Sequence, residues 1–284
     1  MKPNLQSQFC VSKTFSSLII IFALAIQVAH AQMDTIYSNN QKIACTVKEV
    51  TPDAVKYVFP NEDILNTLYK NTIQKIVYRS GRTQTFAEAT SYKTIQGVMD
   101  YANVTITSLE GEVKGLFKLS DVSSKSKGTT VYSSQERVKD RAYRKIKVQA
   151  AMFGANIILL TNQRTEGNKY GGYFQSSSSA ETNLTGIAYS NSAPSYDDFK
   201  RLTGSNITFT AIKKYKLGAS DSDVSEDDVN LPFSISKVTN ENGIIMIEGF
   251  LKGERGVYQL AYVNNETFSI AYKNKGTAYN YLIK

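Results

Sequence analysis

Histidine, cysteine and tryptophan are almost missing from this chain of 284 residues, which holds one His, two Cys and no Trp. The single imidazole is at His30, so the rest of the chain has no means to assemble a Ser-His-Asp or Cys-His nucleophile, or the usual His-bearing transition-metal site. Glycine-rich phosphate and nucleophile motifs are missing too: G-x-S-x-G, G-x-x-x-x-G-K-[ST] and G-x-G-x-x-G do not occur. Apolar runs are short. The longest, Leu18–Val28, reaches across only about half of a ~30 Å hydrocarbon core, and no later stretch approaches the ~20 residues of a spanning helix. What is present suffices for a core: 42% of residues are hydrophobic and 20% charged, the balance of a folded chain of two or three small domains.

The first 31 residues have the pattern of an export signal. Lys2 and Lys13 precede the apolar run, and Ala29-His30-Ala31 supplies a small-x-small cleavage site. The next residue is Gln32 and Cys10 lies upstream of the run, so a lipid anchor at a new N-terminus is not expected. Cleavage would remove His30 and Cys10 and leave 31 Lys+Arg against 25 Asp+Glu, a net +6, with Cys45 as the lone thiol. One cysteine forms no internal disulfide, so the fold is expected to hold by burial alone. Cys45 sits in an alternating run, Lys42–Val47, and reads as a buried structural thiol. These features predict an exported protein, periplasmic or extracellular, with neither a lipid anchor nor a spanning helix after cleavage.

Turn residues and periodicity divide the remainder into three modules, an α+β organisation. Residues 32–95 predict a small antiparallel β module. Thr51-Pro52-Asp53 and Pro60–Asp63 mark its turns, and Ile73, Ile76 and Val77 have the i, i+3, i+4 spacing of a short helix capped by Asn71. Residues 97–192 predict a β-α-β module: a hairpin of Tyr101–Ser108 and Glu112–Val122 about Glu110-Gly111, then a polar linker, Ser123–Thr130. One long amphipathic helix, Gln135–Phe153, follows, stopped by Gly154 before the buried run Ile157–Leu160. A loop, Glu166–Glu181, leads to a last strand, Leu184–Tyr189. Residues 195–284 predict an antiparallel meander, a sheet or small barrel, with a polar loop at Gly218–Asn230 and turns at Asn242-Gly243, Gly253–Gly256, Asn264-Asn265 and Lys275-Gly276.

The stretch Ala150-Ala151-Met152-Phe153-Gly154-Ala155-Asn156 before Ile157–Leu159, followed by Gly186-Ile187-Ala188, resembles a group of small envelope domains. That group includes the outer-membrane stress-sensor lipoprotein of the Rcs phosphorelay and a family described as heavy-metal-binding. The resemblance covers about a third of the chain and implies the fold of the middle module and an envelope location. Cysteines and a lipid site, which the sensor lipoproteins carry, are lacking here, as are the thiol and imidazole ligands a heavy metal would want. The N-terminal module resembles an uncharacterised β module of secreted Gram-negative proteins in its spacing and turns.

Candidate contact residues fall on surfaces. Arg137, Arg141, Arg144 and Lys147 lie on one side of the long helix, with Lys139 and Lys145 nearby and Glu136 and Asp140 partly offsetting them. They suit anionic headgroups, a surface polysaccharide or an acidic partner. Nucleic acid is not expected, because no aromatic platform interleaves these charges. Tyr170, Tyr173 and Phe174, in the Gly- and Ser-rich loop, suit recognition. The acidic run Asp221–Asp228 lacks the glycine and the twelfth-position acid of an EF-hand and reads as a solvated loop. Asp197 and Asp198 read as caps of a helix start, and neither S-x-x-K spacing (Ser124/Lys127, Ser234/Lys237) falls where the pair would meet. The sequence thus predicts an exported envelope protein without catalytic residues, cofactor or metal, which binds, scaffolds or senses through its middle module and β surfaces. The alternative is a small-ligand or ion-binding module using the C-terminal meander as a cup.

Overall fold

The computed structural model describes residues 33–38, 41–86, 92–174, 176–241 and 243–284. The export signal, Gln32 and the Asn242 position of one turn lie outside the described residues. Strand accounts for 52% and helix for 16% of the described residues, so the fold is mostly β, with three sheets and one long helix.

The first sheet holds β1 (Asp34–Ser38), β2 (Gln41–Val50), β3 (Ala54–Val58), β4 (Asn66–Tyr69), β5 (Ile73–Val77) and β6 (Thr83–Thr85), in the order β4-β3-β2-β1-β5-β6. Its core is Ile36, Cys45, Val55, Tyr57, Ile73 and Ile76. The helix expected at Ile73–Val77 is instead a strand. Opposite Tyr37 and Ser38 stand Lys75 and Ile73, so Gln74 is an extra residue in β5. This bulge resets the alternation and lets Ile73 and Ile76, three apart, both face inward. Asn71, expected as a helix cap, instead reaches across to the middle module, donating from Nδ2 to Glu112 O (3.0 Å) and Lys114 O (2.6 Å). The buried Asp34 carboxylate accepts from Val47 N and Arg79 N, both at 2.8 Å. Cys45 is fully buried, and burial, with the Asp34 charge next in weight, pushes its thiol up to about 11.

The middle sheet contains β7 (Thr105–Thr107), β8 (Phe117–Lys127), β9 (Ile157–Glu166) and β10 (Glu181–Ser190), in the order β7-β9-β10-β8. The expected hairpin does not form. Residues Val98–Asn103 and Glu110–Val113 are 3-10 turns, and β7 lies beside β9, parallel to it and far from β8. The expected linker is also corrected, since β8 runs on to Lys127. Its Ser124 and Ser126 are buried, and the Ser124 hydroxyl donates to Ala142 O at 2.7 Å. Small hydroxyl side chains let the helix α1 (Gln135–Met152) lie close over this strand. Both β8 and β9 run antiparallel to β10, so they are parallel to each other with β10 inserted between them: a split β-α-β unit. Ser134 caps α1, accepting from Arg137 N. Gly154 ends it at φ 79°, and a Cβ there would meet Ala261 O at 2.4 Å.

The third unit is a closed six-stranded barrel: β11 (Thr208–Leu217), β12 (Ser225–Glu241), β13 (Ile244–Leu251), β14 (Glu254–Val263), β15 (Phe268–Asn274) and β16 (Thr277–Ile283), with β16 returning to β11. The polar loop expected at Gly218–Asn230 is shorter, because β12 already begins at Ser225. A short helix, α2 (Tyr196–Thr203), presents Phe199, whose ring meets Phe268 edge-on at 5.2 Å. With Phe233, Ile245, Ile247, Ile270 and Ile283 these side chains fill one part of the core. Tyr272 stacks on Tyr279 and Tyr281 in another part. Helix α1 is held between the two larger units. Ala142, Ile146 and Ala150 pack on the middle sheet. Val148, Met152 and Phe153 pack on Leu217, Ala261, Ala271 and Ala278 of the barrel. Asn280 donates to Met152 O at 2.7 Å, and Tyr262 Oη donates to Ala151 O.

Two outcomes follow. Substituting Gly154→Ala is expected to lower unfolding free energy by about 2–3 kcal/mol, read by urea titration, because both its dihedral and its contact with Ala261 O exclude a side chain. The second concerns alkali. Burial holds the hydroxyls of Tyr258, Tyr272 and Tyr281 above their ordinary value of 10.0. The folded state keeps these protons longer than the unfolded chain, so their contribution is complete below about pH 10 and is lost as pH rises through the folded values. Lys145 and Lys273, pushed below 10.5 by burial, act in the opposite sense and offset part of the loss. The last part of the tyrosinate absorbance is therefore expected to rise together with loss of far-ultraviolet dichroism; completion of that absorbance with the dichroism intact would contradict the packing.

Candidate functional site

The four basic residues singled out from the sequence do line one surface. Arg137, Arg141, Arg144 and Lys147 border a groove of about 800 Å³ along α1, floored by Val138 and flanked by Tyr101, Tyr143 and the Thr129–Ser134 turn. Their roles differ. Arg144 is ion-paired with Asp223 at 2.7 Å, and its guanidinium lies 5.4 Å from the centre of the Tyr101 ring. Arg141 donates to Lys127 O at 3.1 Å, while its Nε is buried without a hydrogen-bond partner. Arg137 and Lys147 form no ion pair among the described residues. Lys147 is half-buried, and burial lowers its ammonium pKa. With Asp140 also on the groove wall, the lining carries more positive than negative charge.

Lys145, grouped with this face from the sequence, is 5% exposed and belongs elsewhere. Its ammonium donates to Lys125 O and Ala219 O, both at 2.9 Å. Together with Arg141 and Gln149 it caps the free edge of β8. Arg141 meets Lys127 O, Lys145 meets Lys125 O, and Gln149 Oε1 accepts from Ser123 N at 2.7 Å. Four helical residues advance about 6 Å and two strand residues about 6.6 Å, so the steps keep pace over three rungs. Lys273 of the barrel continues the series by donating to Asp121 O. The i, i+4, i+8 spacing of Arg141, Lys145 and Gln149 was a readable signal, but the edge strand beneath it was not.

The aromatic loop residues are highly exposed. Tyr173 and Phe174 are each 97% exposed and contact each other edge-on, and Tyr170 is 64% exposed. Sequence reading missed their neighbour Tyr132, which is 81% exposed with its ring 5.9 Å from that of Tyr170. Its position among small polar residues just before the Ser134 cap was the only sign. The loop's base is tied down. Lys169 and Ser178 exchange backbone hydrogen bonds, Asn168 donates to Ser133 O at 2.8 Å, and Ser179 donates to Gly128 O at 2.6 Å. Ser133 also borders the groove, so groove and aromatic rim share one turn.

The acidic run is loop as far as Val224 and then opens β12, with Ser225–Asp228 exposed. Asp221 accepts from Gly218 N at 2.6 Å, Asp223 holds Arg144, and Glu226 and Asp228 pair with Lys213. Asp197 and Asp198 fall in the first turn of α2, capped by Ser195, and Asp198 pairs with Arg201. Among the described residues no group of three or more His, Cys, Asp or Glu side chains is placed to hold a metal ion, and no helix is long and apolar enough to cross a membrane.

Stability measurements separate the structural cations from the free ones. Lys145→Met removes a donor from two carbonyls and is expected to cost about 1–3 kcal/mol, whereas Arg137→Gln should stay within about 0.5 kcal/mol of the parent; both are read from chemical denaturation. Compared with protein-family models, with curated proteins and with solved structures, the chain matches none.

Proposed function

We propose that this chain is an exported binding protein of the cell envelope that docks, without a catalytic step, on an anionic surface through the groove of α1. One observation carries the reading. Cations on one side of a single helix, two of them (Arg137 and Lys147) with neither an ion pair nor a side-chain hydrogen bond among the described residues, line a groove that shares a turn with an exposed aromatic rim. Cations draw in an anionic surface over about a Debye length, and amphipathic rings settle where apolar and wet regions meet. The resemblance of the middle region to small envelope domains supports the location, and the leader-like first 31 residues support export. The C-terminal unit fits the role of a supporting body: its core is crowded by Phe199, Phe233 and Phe268, and it steadies the far end of α1.

The test is vesicle flotation of the chain starting at Gln32. Recovery with phosphatidylglycerol vesicles is expected to exceed that with phosphatidylcholine vesicles several-fold at low salt and to shrink at about 0.5 M salt. The double variant Arg137→Glu/Lys147→Glu should abolish the excess without changing the melting temperature, and Tyr173→Ser/Phe174→Ser should weaken it. Equal recovery with both vesicles overturns the reading.

A further inference from the structure

Of the four cations along the groove, Arg144 is the one committed to an acid of another unit. Its partner, Asp223, belongs to residues 218–224, the connection between β11 and β12 of the barrel. That connection is strapped onto α1 on both sides of the carboxylate. Before it, the buried Lys145 ammonium donates to Ala219 O at 2.9 Å, and Asp221 closes a turn by accepting from Gly218 N at 2.6 Å. After it, Val224 packs against the cluster that holds Val148, Met152 and Leu217. The carboxylate itself is aimed. Its Oδ1 accepts from Val224 N at 2.9 Å, and its Oδ2 meets the Arg144 guanidinium at 2.7 Å.

The strap and the ion pair differ in how readily they exchange. Breaking the Ala219 contact would strand a buried ammonium, so the strap is firm. Arg144 and Asp223 keep 48% and 43% of their side chains exposed, and a pair in that setting resists a competing charge only weakly. A weak pair still competes when one partner is tethered, because the tether keeps its local concentration high. Asp223 thus presents to a groove cation, at all times, the chemistry that an anionic surface would offer from outside.

We infer that Asp223 is an autoinhibitory counter-ion: it withholds Arg144 from the groove, so that an anionic surface docks more weakly than the groove's cations alone would allow. The inference rests on the docking reading above and adds a restraint to it.

The test is flotation with phosphatidylglycerol and phosphatidylcholine vesicles at low salt. The chain starting at Gln32 is compared with its Asp223→Asn, Arg144→Gln and Asp223→Asn/Arg144→Gln variants. Asp228→Asn is the charge-matched control, because Asp228 belongs to the same acidic run but pairs with Lys213 of the barrel, away from the groove lining. Asp223→Asn is expected to raise partition onto phosphatidylglycerol about two- to fivefold. The gain should be less than half as large where Arg144 is already Gln, and Asp228→Asn should leave partition nearly unchanged. Circular dichroism checks each fold, and Asp223→Ser repeats the measurement should the Asn variant unfold. Three results overturn the inference: no gain, an equal gain without Arg144, or an equal gain from Asp228→Asn. Each leaves the parent's preference for phosphatidylglycerol, and so the docking reading, in place. Loss of that preference in the parent and Asp223→Asn alike overturns both.

Discussion

The structure turns on the seam between helix α1 and the free edge of β8. A strand at the end of a sheet leaves half of its backbone groups without partners, and burying them unpaired would be costly. Here Arg141, Lys145 and Gln149 reach down from the helix and satisfy three successive positions, and Lys273 from the barrel supplies the next. The seam makes the helix a fixed strut instead of a lid on the sheet. It also sets which residues remain for other work: one stripe of α1 is committed to β8, its C-terminal half is wedged against the barrel, and the stripe left over carries Arg137 and Lys147 into the groove.

The legible parts of the sequence were those whose information is local. The long helix, its glycine stop, the buried run after it and the closing barrel strands follow from periodicity and turn residues. Other parts were misread because a distant partner decides them. Ile73 and Ile76 have helical spacing, yet a single extra residue, Gln74, achieves the same facing in a strand. Ser123–Lys127 has the composition of a linker, but small hydroxyls are what a strand needs when a helix lies close above it. Thr105–Thr107 has no local sign that its partner is β9, some fifty residues away, and not the strand that follows it.

The candidate site shows the same division. A helical wheel groups the basic residues correctly but does not separate a cation buried against two carbonyls from one facing solvent; Lys145 and Arg137 differ only through what lies beneath them. The acidic run Asp221–Asp228 likewise has the composition of a free loop, and its actual work is to balance Arg144 and Lys213. Tyr132 joins Tyr170 only because two segments nearly forty residues apart fold onto a common turn.

The capped edge of β8 has a consequence for behaviour at high concentration. An eleven-residue strand with an open margin is a template on which a second copy adds, the first step toward fibrous aggregates. With three of its carbonyls engaged by ammonium and guanidinium groups and Ser123 N by an amide, this margin offers an arriving chain few groups in sequence to pair with. The less guarded margins are the short terminal strands β4 and β6 of the first sheet and, in the middle sheet, β7 with the stretch of β9 beyond it.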